Sequence, residues 1–235
     1  MISSTITKSD DATRAWQREE RIKVQDVESY YSAELKRGAK NKRRRSAAVK
    51  SFAKFCKTYG GDTFELKWSS SHLRAIDLIE YAVSHGDMFA FAVPRGSGKT
   101  TLSWWGVLWA VLNGKSPYAM LISSTAGHAE QLLQNIKMAL RENELLFEDY
   151  PEVCCPVRHL EGEARKASGQ RYKGKHTKIE WRQQRIVFPT IPKSKSSGAI
   201  IDVTGISGES IRGRQVYYGG KVVRPTLAIL DDPQT

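Results

Sequence analysis

Phe89-Ala-Phe-Ala-Val-Pro-Arg-Gly-Ser-Gly-Lys-Thr-Thr101 is the stretch on which the reading of the fold turns. The apolar run from Met88 to Val93 reads as a buried strand, and it feeds a turn holding Gly96 and Gly98 just before Lys99 and Thr100. Small residues in such a turn let successive backbone N–H groups curl round phosphate oxygens. Lys99 is then expected to reach the β- and γ-phosphates, and the Thr100 hydroxyl to ligate Mg²⁺. Pro94, Ser97 and Thr101 complete the expected cradle, and the following helix aims its positive end at the anion. The stretch departs from G-x-x-x-x-G-K-[ST] at its first position, where Val93 stands for glycine. Its context restores the weight: Leu102, Trp105, Val107, Leu108, Trp109, Val111 and Leu112 make the next helix apolar almost all round, so it must be buried on more than one side.

A second apolar run, Thr226-Leu-Ala-Ile-Leu-Asp-Asp232, reads as a buried strand ending in two carboxylates. Asp231 is expected to hold the metal, and Asp232 to orient or deprotonate the attacking water. An Asp-Asp-Pro sequence after a strand is also an ordinary turn, and it is the glycine turn upstream that favours the chemical reading. ATP and Mg²⁺ are the expected cofactors.

Composition narrows the class. The chain has 235 residues, 40% of them hydrophobic, with 37 Lys and Arg against 25 Asp and Glu, a formal charge of +12. That excess of positive charge implies a polyanionic partner, for which a nucleic acid is the natural choice. No apolar run approaches a membrane span and no apolar leader is present, so a membrane is not an expected partner and the cytoplasm is the expected location. The three cysteines make no disulfide framework, and Cys154, Cys155 and His159 fit no zinc spacing.

The chain divides, on this reading, into a basic helical arm and linker over residues 1–50 and an α/β domain over 51–235. Trp16, Val24, Val27, Tyr31 and Leu35 recur at mostly three- and four-residue steps on one helix face. The block from Lys36 to Arg45 follows, and it is either a solvated linker or a phosphate-gripping patch made of Lys42, Arg43, Arg44 and Arg45. Ser69 to Ser71 can cap a helix ending at His85-Gly86, and Trp68 and His72 are candidates to clamp an adenine ring, with core packing and a surface position as the alternatives. A buried strand is expected over 118–123 and a helix with Ala129, Leu132, Leu133, Ile136 and Leu140 inward. Beyond an exposed loop over 161–175 come two short strands near 177–181 and 185–189, read as a hairpin inserted at the sheet edge, and a buried strand over 199–203. Alternating strands and helices mean right-handed βαβ units and a mainly parallel sheet. The glycine- and arginine-rich segment from Gly205 to Arg214 is either a phosphate sensor or DNA contact, through Arg212 and Arg214, or a basic surface turn.

Taken together these motifs resemble the large terminase subunits of tailed bacteriophages, the ATP-driven motors that package DNA into capsids. Pro94-Arg95-Gly96-Ser97-Gly98-Lys99-Thr100 is similar to their deviant Walker A, Trp68-Ser-Ser-Ser-His72 to their adenine-side motif, Gly208-Glu-Ser-Ile-Arg212-Gly213 to the segment before Walker B, and Leu230-Asp231-Asp232-Pro233-Gln234 to Walker B itself. The resemblance implies an ASCE-type P-loop NTPase, an α/β fold whose mainly parallel sheet is flanked by helices, with a helical N-terminal arm. It implies that Lys99 and Thr100 bind phosphate and Mg²⁺, that Asp231 holds the metal, and that Arg95 is a cis arginine acting on the γ-phosphoryl group. It further implies double-stranded DNA, a portal and a small terminase subunit as partners, a homo-oligomeric ring for the full-length protein, and the cytoplasm of a bacterial host. Terminases usually carry Glu where this chain has Asp232, which reaches about one methylene less far. The chain ends three residues later, so it is expected to be a piece without the nuclease domain. Other P-loop translocases or helicases, or a catalytically weak DNA-binding module, are the alternative readings.

Overall fold

The computed structural model describes residues 13–17, 25–92, 94, 96–206, 211, 214–218 and 220–232. Residues 13–17 are helical, and from residue 25 onward three helices follow: α1 (Val27–Arg37), α2 (Lys42–Lys50) and α3 (Phe52–Tyr59). Each has a short polar N-cap, Asp26, Asn41 and Ser51, whose side-chain oxygen accepts from a first-turn N–H. A capping box between Ser69 and His72 starts α4 (Ser70–His85), and Gly86, in the left-handed conformation, ends it as the sequence suggested.

The core is built round α5 (Lys99–Leu112), in which every residue from Leu102 to Leu112 is buried. A helix this apolar needs partners on several sides. It packs on α4 and on strands β1 (Tyr118–Ser123) and β9 (Leu227–Asp231), and its Trp109 donates from Nε1 to the Ala48 carbonyl of α2 at 2.9 Å. Phe52, Phe55, Tyr59, Trp105 and Tyr150 stack around it. Helices α2 and α3 are thus part of the same packed core as α5.

Between these strands the chain forms α6 (Ala126–Glu142), α7 (Glu144–Asp149) and α8 (Pro151–His159), the short ribbon β2 (Arg171–Tyr172) and β3 (Lys175–His176), then β4 (Glu180–Trp181), β5 (Arg185–Val187) and β6 (Ile200–Gly205). A second ribbon, β7 (Val216–Tyr218) and β8 (Lys221–Val223), precedes β9. The main sheet has five strands in the order β4-β5-β6-β1-β9. Strands β6, β1 and β9 are parallel, with Tyr118 beside Ile200 and Ser123 beside Asp231, whereas β5 and β4 run antiparallel at the far edge. The fold is therefore mixed α/β with a sheet that is parallel in its core and flanked by helices, and the antiparallel pair at the edge is where the sequence put it.

The two faces of the sheet are covered differently. Ala119, Leu121, Ile201 and Val203 face the helical core. Tyr118, Met120, Ile122 and Ile200 lie in the opposite cluster, where Ile206, Ile211, Val216 and Val223, all from the excursion between β6 and β9, pack over them. Under that cover Asp202 is fully buried, yet it accepts two hydrogen bonds from Arg185 at 2.6 and 2.7 Å and one from the Tyr118 hydroxyl at 2.5 Å. Burial, and then the neighbouring carboxylate, push the Tyr118 hydroxyl well above its ordinary pKa.

Three expectations are corrected. The run before the two aspartates forms a strand but not a fully buried one: it lies at the edge of the sheet, where Leu230 is 52% exposed and Ala228 is exposed as well. Residues 88–92 are not a buried strand: they join no ladder, Met88 is 90% exposed, and Phe89 and Phe91 are exposed as well. An apolar run states a preference for burial but names no pairing partner, and here β9 spends its one ladder on β1. The basic block is not a linker throughout either, since Lys42 to Arg45 form the first turn of α2. No helix among the described residues is long and apolar enough to cross a membrane.

Candidate functional site

Parallel strands carry their C-terminal ends to one edge of a sheet, and there β9 delivers Asp231 and Asp232 next to the N-terminus of α5. Asp231 continues the strand and is buried at 5% exposure, where the Ser103 hydroxyl, one turn into α5, donates to its Oδ1 at 3.2 Å. Asp232 turns into the left-handed region at φ 45, which an aspartate tolerates better than most residues. The turn sends its carboxylate the other way, to 3.2 Å from Lys99 Nζ. Two adjacent carboxylates thereby face different groups, one a hydroxyl in the helix and the other an ammonium at its start.

The loop before α5 is shaped by Gly96 and Gly98, at φ 77 and 75, a conformation in which a side chain would be strained. Gly98 is the N-cap of α5 and supplies no side chain to cap it, so the first-turn N–H groups lack the capping bond that α4 and α6 receive from Ser69 and Thr125. Ser97 Oγ is buried without a hydrogen-bond partner. Against the loop lies a cavity of about 210 Å³ lined by Ser69, Ser71, His72, Ala75, Phe91, Pro94, Ser97, Lys99 and Leu102. Open N–H groups, an orphaned hydroxyl and an ammonium form a donor set suited to a polyanion such as a phosphate chain. Thr100, on the first turn of α5, and Asp231 are the residues able to hold a divalent cation there. Among the described residues no group of three or more His, Cys, Asp or Glu side chains makes a metal cluster, so any cation site here would draw on hydroxyl and ligand oxygens as well.

His72 lines the cavity and also braces the loop. Its Nδ1 accepts from the Ser69 N–H at 3.1 Å, which assigns the ring proton to Nε2, and Nε2 donates to the Ser97 carbonyl at 2.5 Å. The imidazole thus ties the start of α4 to the middle of the loop. Trp68 does not line the cavity. It packs edge-on to Phe64 at 5.9 Å with Lys57 Nζ over its ring at 4.5 Å, which is the core-packing alternative. The aromatic side chain that does line the cavity is Phe91, which the sequence reading assigned to a strand interior. Ser103 was also missed, although a hydroxyl one turn after Lys99 on the same helix is a signal that spacing could have supplied.

The candidate phosphate and DNA contacts separate into two kinds. Arg44 bonds both oxygens of Asp149 at 2.6 and 3.0 Å and Glu148 at 2.7 Å, and Arg45 bonds Glu152 and lies over the Tyr150 ring at 4.3 Å. These carboxylates hold the Arg44 guanidinium well above its ordinary pKa, led by the hydrogen bond to Asp149. Both arginines are therefore committed to an internal seam between α2 and α7–α8, while Lys42 and Arg43 remain exposed. Arg214 lies 3.5 Å from Asp202, again inside the protein's own charge network. Arg95 and Arg212 fall outside the described residues, as do residues 207–210, Gly213 and 233–235. The three cysteines are free and buried, and burial pushes the Cys155 thiol up to about 12, which fits inert structural thiols.

No protein-family model matches the chain, and neither the curated proteins nor the solved structures contain a match to it.

Proposed function

We propose that this chain is the ATPase portion of a P-loop motor of the terminase large-subunit kind, which hydrolyses ATP to move double-stranded DNA. The observation that carries the reading is the meeting of the glycine loop with the two aspartates: Lys99 with Asp232, and Ser103 of the same helix with Asp231. Lys99 and the two aspartates are the groups that the motif order in the sequence requires to converge, and Ser103 adds a second tie between the helix and the strand.

In this reading Lys99 and the open N–H groups of α5 bind the β- and γ-phosphates, and His72 fixes the loop that carries them. Thr100 and Asp231 would hold Mg²⁺, which when bound supplies neutralisation of phosphate charge. Asp232 orients the attacking water and takes its proton, a contribution of about 10²–10⁴ in rate for a well-placed base. Phe91 and the Ser69–His72 turn are placed to meet the nucleoside side of the ligand. Arg95 keeps its proposed role as a cis arginine on the γ-phosphoryl group. The excess of cations supplies sequence-independent hold on the DNA backbone.

Magnesium-dependent phosphate release by the wild type against Lys99→Ala tests the proposal. A loss of about 10²-fold or more in the variant is expected, and equal rates would sink the enzyme reading. One observation favours the weaker alternative of a DNA-binding module with a feeble nucleotide site. Residues 88–92 sit in no ladder, so among the described contacts the loop is steadied chiefly by His72.

A further inference from the structure

The ribbon β7–β8 is a separate two-stranded sheet, laid over the second face of the main sheet by Val216 and Val223. Its inner face is explained by that packing. Its outer face is not: Tyr217 is 75% exposed and its cross-strand neighbour Val222 is 57% exposed, a tyrosine and a valine held side by side in water. Arg224 follows two residues after Val222, and Lys221 sits beside it at the turn of the ribbon on the other pleat; both are exposed, and neither is paired with a carboxylate among the described residues. No acidic residue occurs anywhere from Ile211 to Leu230. Asp202, buried under the cover to which the ribbon belongs, is already taken by Arg185, Tyr118 and Arg214.

From this surface we infer that the β7–β8 ribbon is a contact for the backbone of double-stranded DNA, with Lys221 and Arg224 on phosphates and Tyr217 on a phosphate or sugar between them. The inference rests on the proposed function for the identity of the polyanion. The chemistry fits because unpaired cations draw the duplex without regard to sequence, while a tyrosine hydroxyl on a rigid ring adds a directed contact. The exposed tyrosine and valine have no other described partner, and a surface with local charge of one sign selects against a basic protein face. Three residues, Arg224 to Thr226 with a bend at Thr226, join the ribbon to β9, the strand that ends at Asp231.

The test is equilibrium anisotropy of a fluorescent duplex of about 30 base pairs, titrated with protein at salt between about 50 and 200 mM. The double variant Lys221→Ala/Arg224→Ala is expected to bind at least tenfold more weakly at low salt, with the slope of log affinity against log salt shallower by about 1.8, the value for two lost phosphate contacts. Tyr217→Ala is expected to lose about fivefold with the slope unchanged. The control is Lys54→Ala/Lys67→Ala, which removes the same charge from exposed positions elsewhere. Wild-type affinity in the ribbon variants, or an equal loss in the control, would overturn the assignment. A ribbon-dependent preference for single strands of the same length would overturn the choice of duplex. Lys99→Ala separates the two claims. Absent ATP turnover with intact ribbon-dependent binding removes the motor reading alone, and normal turnover with ribbon-independent binding removes the present one alone.

Discussion

Lys99, which lines the cavity, and Asp232, 133 positions further along the chain, form an ion pair, Nζ to Oδ1 at 3.2 Å. The pair is half open to water, so its own contribution to stability is small, on the order of 0–1 kcal/mol. Its importance lies in competition. The ammonium that would bind a γ-phosphate is the one this carboxylate already holds, so the two anions share a single cation.

That sharing predicts opposite effects on binding and turnover. Asp232→Asn is expected to bind ATP as tightly as the wild type or several-fold tighter, because Lys99 is released, while turnover falls by about 10²–10⁴ with the base gone. Binding of a fluorescent ATP analogue and phosphate release, measured on the same preparation, check both halves. A variant with undiminished turnover would take Asp232 out of the chemistry.

His72 holds a carbonyl of the loop, and its loss should disturb ligand binding more than folding. His72→Ala is expected to raise KM for ATP about tenfold, the equivalent of one charge-free but well-formed contact and its ordering effect, with a smaller change in kcat. His72→Gln, which keeps a side-chain N–H donor, should restore part of the loss. If both variants merely lower the melting temperature without moving KM, His72 is a capping residue and nothing more.

Asp149 is fully buried and accepts from Arg44, the Tyr59 hydroxyl and the Asn41 N–H. Removing a buried carboxylate leaves its partners uncompensated, so Asp149→Ala should cost about 3–5 kcal/mol. For a chain of this size that is a fall in Tm of roughly 10 °C, readable by calorimetry or circular dichroism. Arg44→Lys should not substitute for the arginine, because a lysine ammonium cannot reproduce the bidentate fork. A melting temperature within a degree or two of the wild type would show that α2 is not anchored through this seam.

The same seam should weaken in acid. Hydrogen bonds from Lys40 and then Arg44 hold the Glu148 carboxyl below its ordinary value of 4.5. A carboxyl depressed in the folded state contributes stability that is fully present above the unfolded value and is lost as pH falls through the folded one. Urea midpoints should therefore decline below about pH 4.5, and Glu148→Gln should lower stability at neutral pH while flattening part of that acid limb. An acid limb unchanged in the variant would mean that other carboxylates carry it.

The parts of this fold that were legible are those whose own run of residues states their conformation. Tyr118 to Ser123 and Leu227 to Asp231 are short apolar runs between turn residues, and both form strands, although only the first is buried throughout. The helix after Lys99 was legible because its apolar residues leave no polar face. What failed was pairing at a distance. Arg44 and Asp149 meet across 105 positions, and nothing within the run Lys42 to Arg45 reveals that a carboxylate will neutralise it. The same limit misplaced Met88 to Val93, whose composition states a preference without a partner. At the site, Lys99, Asp231 and Asp232 were found because the chemistry fixes both residue types and order. Phe91 and Ser103 were not, since their roles come from which surface faces the cavity and which faces Asp231.

The outer margin of β9 has its own consequence. Among the described residues the strand is hydrogen-bonded to β1 on one side only, Leu230 is 52% exposed, and Phe89 and Phe91 are exposed as well. An uncapped β margin with aliphatic and aromatic side chains beside it is a template for adding chains. The colloidal behaviour of this protein in concentrated solution will thus be governed by that seam rather than by its high net charge, and a lysine at position 230 is the substitution that should keep it dispersed.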